Sequence, residues 1–132
     1  MAAQDPTVED VMAVHEDVVD DYGLRAGTAG PVAEVRLENA LADAGGHDPG
    51  YERGAFYLRT VARLHVFEDG NKRTAWLVAD SYLAGRELEV TPSQQQAATV
   101  MRHFRRFSVD ELAAWLRTGT IDESELRGSY PD

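Results

Sequence analysis

Two apolar helical runs separated by a short polar loop constrain this chain more than any other feature. Residues Tyr51 to Leu64 place Ala55, Leu58, Val61 and Ala62 at three- and four-residue spacing, with His65 completing that face and Phe56 and Tyr57 beside it. Residues Lys72 to about Ala84 are apolar nearly all round, through Trp76, Leu77, Val78, Ala79, Tyr82 and Leu83. A helix apolar on every side is a buried one, so the loop between the runs is expected to hang from two core elements. Suspension of that kind holds a polar constellation in a fixed geometry.

The loop concentrates chemistry. His65, Asp69, Gly70, Asn71, Lys72 and Arg73 fall within nine residues, and the last of them open the second helix. The unpaired N–H groups of a helix's first turn and the positive end of its dipole both favour an anion, so the loop is an anion site by construction. His65 is the candidate general base, since imidazole by nature titrates near neutral pH. Asp69 suits a hard cation such as Mg²⁺, and the same carboxylate also suits a helix cap. Gly70 lets the backbone approach phosphate, Asn71 and the amides of Lys72 and Arg73 complete the cradle, and Arg73 can grip an oxyanion bidentately. Phe67 reads as structural, its ring anchoring the loop in the core.

The ordered string His65-x-Phe67-x-Asp69-Gly70-Asn71-Lys72-Arg73-Thr74-Ala75 resembles the signature of the Fic/Doc family. In its Fic branch the pattern reads His-x-Phe-x-(Asp/Glu)-Gly-Asn-Gly-Arg-x-x-Arg, and those enzymes move AMP from ATP to a protein hydroxyl. This chain carries Lys72 where that pattern has its second Gly and Trp76 where it has its second Arg. Both departures resemble the Death-on-curing (Doc) branch, which holds the nucleotide the other way round and transfers the γ-phosphate. The resemblance implies an all-α fold, ATP as donor, Mg²⁺ as cofactor, a small Phd-like antitoxin as partner and elongation factor Tu as target. Three functions stay in play: a Doc-like protein kinase, a Fic-like nucleotidyltransferase, and a catalytically silent binding module.

The remaining chain reads as further helices, six or seven in all, in one domain over 1–132. The first is expected over Val8–Tyr22, capped by Thr7, with Val11, Met12, His15, Val18, Val19 and Tyr22 on its apolar stripe. His15-Glu16 lacks the second His of a metalloprotease helix, so His15 reads as a stripe-edge residue. Gly23 to Pro31 reads as a loop, with Pro31 in the first turn of a helix over Val32 to about Ala44 that uses Val35, Leu37, Ala40 and Leu41. Glu38-Asn39 matches half of the inhibitory helix that some Fic proteins carry, but Glu34 stands at its Ser/Thr position, which points to an external inhibitor. Gly45 to Gly50 reads as a loop in which His47 and Asp48 do turn chemistry; the resemblance makes it a flap for the target segment. Leu88 to Val90 is a small strand or an extended turn. Ser93 with Gln96 and Ser108 with Glu111 form capping boxes for helices with apolar faces reaching Phe104 and Leu116, and a short helix follows around Glu123 to Arg127. Arg102, His103, Arg105 and Arg106 read as a solvated helix end.

A net charge of −10 argues against sequence-independent nucleic-acid binding. No apolar run approaches a membrane span, the acidic N-terminus is unlike a signal peptide, and cysteine is absent, so a cytoplasmic protein is expected. Lys72 is the single lysine. Arginine elsewhere fits either a GC-rich genome or adaptation to high internal salt, while a lysine kept only inside the motif points to a local role.

Overall fold

The computed structural model describes residues 5–126, and among them it is all-α with no β-strand. Six helices follow one another: α1 Val8–Tyr22, α2 Ala33–Ala42, α3 Tyr51–Leu64, α4 Asn71–Gly85, α5 Gln94–Met101 and α6 Val109–Thr118. Short 3₁₀ turns over Asp43–Gly46, Phe104–Arg106 and Glu123–Leu126 join or end them.

Helix α3 is the axis. It packs most extensively on α4 and then on α6, while α1 leans on α4 and α2 closes the side of α3. Tyr57, Leu58 and Val61 of α3 meet Leu83 of α4 and Leu112, Trp115 and Leu116 of α6 in one core, all of them fully buried. Each such side chain contributes about 1.5–3 kcal/mol by leaving water. Gly54 lets α3 and α4 approach closely, for a Cβ there would lie 3.1 Å from the Leu83 side chain.

The caps follow the sequence at both ends of the chain. Thr7 and Asp10 exchange side-chain and backbone bonds at the start of α1, and Ser108 and Glu111 do so at the start of α6. Ser93 caps α5, but Gln96 does not close the box; its Nε2 donates to the Gly119 carbonyl at 2.9 Å, tying α5 to the end of α6.

Several expectations are corrected. Pro31 lies outside α2, which starts at Ala33 behind Val32, and Val32 and Val35 are 62% and 58% exposed. The α2 stripe buries Ala33 and Leu37 and packs Ala40 and Leu41 partly against the core, and the chain then tightens into a 3₁₀ turn, Asp43–Gly46, that includes Gly45 and Gly46. Helix α4 begins one residue early, at Asn71, and is not buried all round, because Trp76 and Leu77 are only half-buried and line a cavity. Helix α5 stops at Met101, and Phe104 is buried from a separate 3₁₀ turn. Leu88 to Val90 forms no strand. The last helix is a 3₁₀ turn over Glu123–Leu126, and Arg127 lies outside the described residues. No helix among the described residues is long and apolar enough to cross a membrane.

Candidate active site

The loop from His65 to Gly70 turns the chain from α3 into α4, and three devices fix its shape. Phe67 is fully buried, and Asn71, buried one turn further on, clamps it: the Phe67 N–H donates to Asn71 Oδ1 at 3.0 Å and Asn71 Nδ2 donates to the Phe67 carbonyl at 2.9 Å. Behind the loop, the glycine-rich segment pairs with it, Ala29 N–H donating to the Val66 carbonyl and Glu68 N–H to the Gly27 carbonyl, around an antiparallel bridge between Thr28 and Phe67. The third device is His15. Its ring stacks on Phe67 with centroids 3.7 Å apart and planes 7° from parallel, and its Nε2–H donates to the Asp69 carbonyl at 2.8 Å.

His15 is therefore part of the site, not a stripe-edge residue. It is buried, 4% exposed, and it reaches a loop 54 residues away. Nothing local in the sequence marks that partnership, because the contact exists only once α1 lies against α4. The polar member of an otherwise apolar stripe was the available signal.

His65 leaves the face it was expected to share with Ala55, Leu58, Val61 and Ala62. Helix α3 ends at Leu64, and His65 caps it in the left-handed conformation, φ 53° and ψ 49°, with its side chain exposed at the cavity mouth. A non-glycine residue held there is strained, and such strain collects at functional sites. Asn71 Nδ2 lies 3.4 Å from His65 Nδ1, a long contact. Because the two bonds to Phe67 fix the amide's orientation, a donor faces Nδ1. Asn71 thus has its side chain committed to the loop and to His65, so only its backbone is left for the phosphate cradle.

Gly70 is required twice. It caps α4 with φ 80°, and a Cβ would sit 3.0 Å from Leu24 and 3.2 Å from Val18. No side chain caps α4, and its first turn carries Lys72 and Arg73 with no acidic residue. Cations at the positive end of a helix dipole cost about 0.3–1 kcal/mol each, which makes sense where an anion is to be bound. The Arg73 guanidinium lies over the Tyr22 ring, 3.8 Å from its centroid, so the exposed Tyr22 braces a cation instead of filling the core. Asp69 is half-buried; Oδ1 accepts from the Gly70 N–H at 3.0 Å, while Oδ2 has only the Arg25 N–H at 3.5 Å. That leaves a carboxylate oxygen with free lone pairs, which fits Mg²⁺, an ion commonly held by one or two carboxylates plus substrate phosphates. No group of three or more metal-ligating side chains occurs among the described residues, so Asp69 would share the ion with phosphate oxygens.

His65, Asp69, Gly70, Asn71, Lys72 and Arg73 all line one cavity of about 660 Å³, and Phe67 lies behind it. The volume suits a cofactor-sized ligand. The same cavity is lined by Trp76 of α4, by Ala97 and Met101 of α5, and by Arg102 and Arg105, so these two arginines are not merely a solvated helix end. Partial burial, and then the nearby charges of Arg106, Arg102 and Lys72, hold His103 below the usual histidine range. Lys72 and Arg102 therefore act on the same imidazole.

The Fic/DOC family model matches residues 5–83, a span that runs from α1 through the loop into α4. This chain belongs to the Fic/DOC family. Toxin Doc of Mycolicibacterium smegmatis (strain ATCC 700084 / mc(2)155) is 39% identical over 66 residues, 49% of this chain and 46% of that protein. The match thus spans about half the length of that relative. Within the Fic/DOC match fall His15, the whole loop and the first turn of α4, whereas Arg102 and Arg105 lie beyond it.

Proposed function

We propose that this chain is a Doc-like phosphotransferase that moves the γ-phosphate of ATP to a protein hydroxyl. Lys72 carries the reading: it stands in the first turn of α4, at the cavity, where the Fic pattern has glycine. Trp76 supports it, since it occupies the second-arginine position and presents a half-buried ring packed on Trp115 in place of a cation for AMP transfer. The 39% identity to a Doc toxin points the same way. On this reading the protein is a cytoplasmic toxin held in check by a small Phd-like antitoxin, and elongation factor Tu is the target the family resemblance implies. AMP transfer is the second reading, because Gly70, Asn71 and Arg73 fit both branches.

The acceptor hydroxyl attacks the γ-phosphorus and its proton passes to His65, while the bond from phosphorus to the bridging oxygen breaks and ADP departs. A donor faces Nδ1, so the tautomer that fits this contact carries its lone pair on Nδ1 and its N–H on Nε2. At 3.4 Å the contact is weak enough to be given up when the ring takes a proton. The first-turn amides of α4 with Lys72 and Arg73 hold the transferring phosphate. Asp69 would hold Mg²⁺, which would supply neutralisation of the phosphate charge when bound.

Purified His65→Ala protein tests this. It is expected to keep ATP binding and to lose transfer by about 10²–10⁴-fold, the usual worth of a positioned general base. Transfer at the parent rate would remove His65 from the mechanism.

A further inference from the structure

We propose that Arg102 and Arg105 form a second anion subsite in the same cavity, one that holds the phosphates of a nucleoside triphosphate that are not transferred. The inference rests on the phosphotransferase reading and extends it to residues outside the motif.

Four cations, Lys72, Arg73, Arg102 and Arg105, converge on one cavity in a chain whose net charge is −10. The carboxylates facing them there are Glu68 and Asp69. Arg102 and Arg105 are exposed, and among the described residues neither pairs with a carboxylate. Arg105 is held in place, its guanidinium 4.6 Å from the centroid of the buried Phe104 ring. Unpaired arginines steered into a cavity favour a polyanion, and arginine meets phosphate bidentately. Beside them Trp76, Ala97 and Met101 make an apolar wall. A ligand that joins a polyanion to an aromatic ring matches both surfaces, which favours a nucleotide over an acidic peptide.

The division of labour follows from the chemistry. When the γ-phosphorus to bridging-oxygen bond breaks, the electron pair stays on the departing ADP, whose β-phosphate gains charge. Arg102 and Arg105 meet that charge, while the first turn of α4 keeps the transferred group.

Calorimetric titration of the full chain with ATP and with ADP, each with Mg²⁺, separates the subsites. The double variant Arg102→Ala with Arg105→Ala is expected to weaken ATP and ADP alike, by about 10–100-fold. Arg73→Ala is expected to weaken ATP far more than ADP. Arg36→Ala, which removes one charge from an exposed part of α2 away from the cavity, is expected to change neither. Arg102→Lys with Arg105→Lys should recover part of the loss, and circular dichroism checks that each variant is folded. ADP binding untouched by the double variant would overturn the proposal, as would equal losses from Arg36→Ala or no recovery with lysine. A parent protein that binds no nucleotide would overturn the phosphotransferase reading together with this one. ATP and ADP binding equally well to parent and double variant, while an acidic peptide is lost, would leave the phosphotransferase reading standing and give these arginines to a protein partner.

Discussion

At the scale of single residues, the site is a set of backbone commitments made by side chains. His15 shows it best. His15→Ala removes a buried stack on Phe67 and the bond to the Asp69 carbonyl, and should cost about 2 kcal/mol of stability as well as transfer activity. His15→Phe keeps the stack and loses only the bond, so it should cost about 1 kcal/mol yet still slow transfer. Denaturant melts and transfer assays on the pair separate packing from positioning. Asp69→Asn is expected to raise the Mg²⁺ concentration needed for half-maximal ATP binding by about tenfold; an unchanged titration would leave Asp69 a structural cap. Asp80, half-buried on α4, has its carboxyl pushed above the ordinary range by burial. A carboxyl protonated more readily in the folded state stabilises at low pH, and that contribution fades as pH rises through the folded pKa. Asp80→Asn should therefore melt higher than the parent near neutral pH and no higher in acid below the ordinary carboxylate range. The gathering of His65, Asp69, Gly70, Asn71, Lys72 and Arg73 at one cavity was legible in the sequence because they fall within nine residues. The placement of His15, Tyr22, Arg102 and Arg105 was not, because their partners come from other helices.

At the scale of elements, most helices announce themselves through local rules. Thr7 with Asp10 and Ser108 with Glu111 close capping boxes, and α1, α3 and α6 keep the apolar periodicity that places their buried faces. The misreadings arise where tertiary packing overrides pattern. Val35 is apolar yet exposed because α2 touches the core along a narrow stripe, and Trp76 is apolar yet half-open because α4 forms one wall of a cavity. Gln96 looked like a box partner and bonds instead to Gly119, a residue that only the packing of α6 brings near. The close approach of α3 to α4 is testable on its own. Gly54→Val forces methyl groups against the fully buried Leu83, which has nowhere to go, and should lower stability by about 1–3 kcal/mol in a urea melt.

At the scale of the whole molecule, an acidic surface encloses one strongly basic cavity. Among the described residues Arg53 pairs with Asp5 and His47 hydrogen-bonds Glu52, which leaves most of the described surface carboxylates without a cationic partner among them. Self-repulsion of that kind is screened by salt, so the melting temperature is expected to rise between low and molar NaCl while ATP affinity falls. The contrast between surface and cavity also gives the function its sharpest test. Parent and His65→Ala proteins are incubated with cell lysate and ATP labelled at either the α- or the γ-phosphate. Label from the γ position alone should reach protein with the parent, and none should with His65→Ala; label from the α position, or label that survives the substitution, would contradict the account.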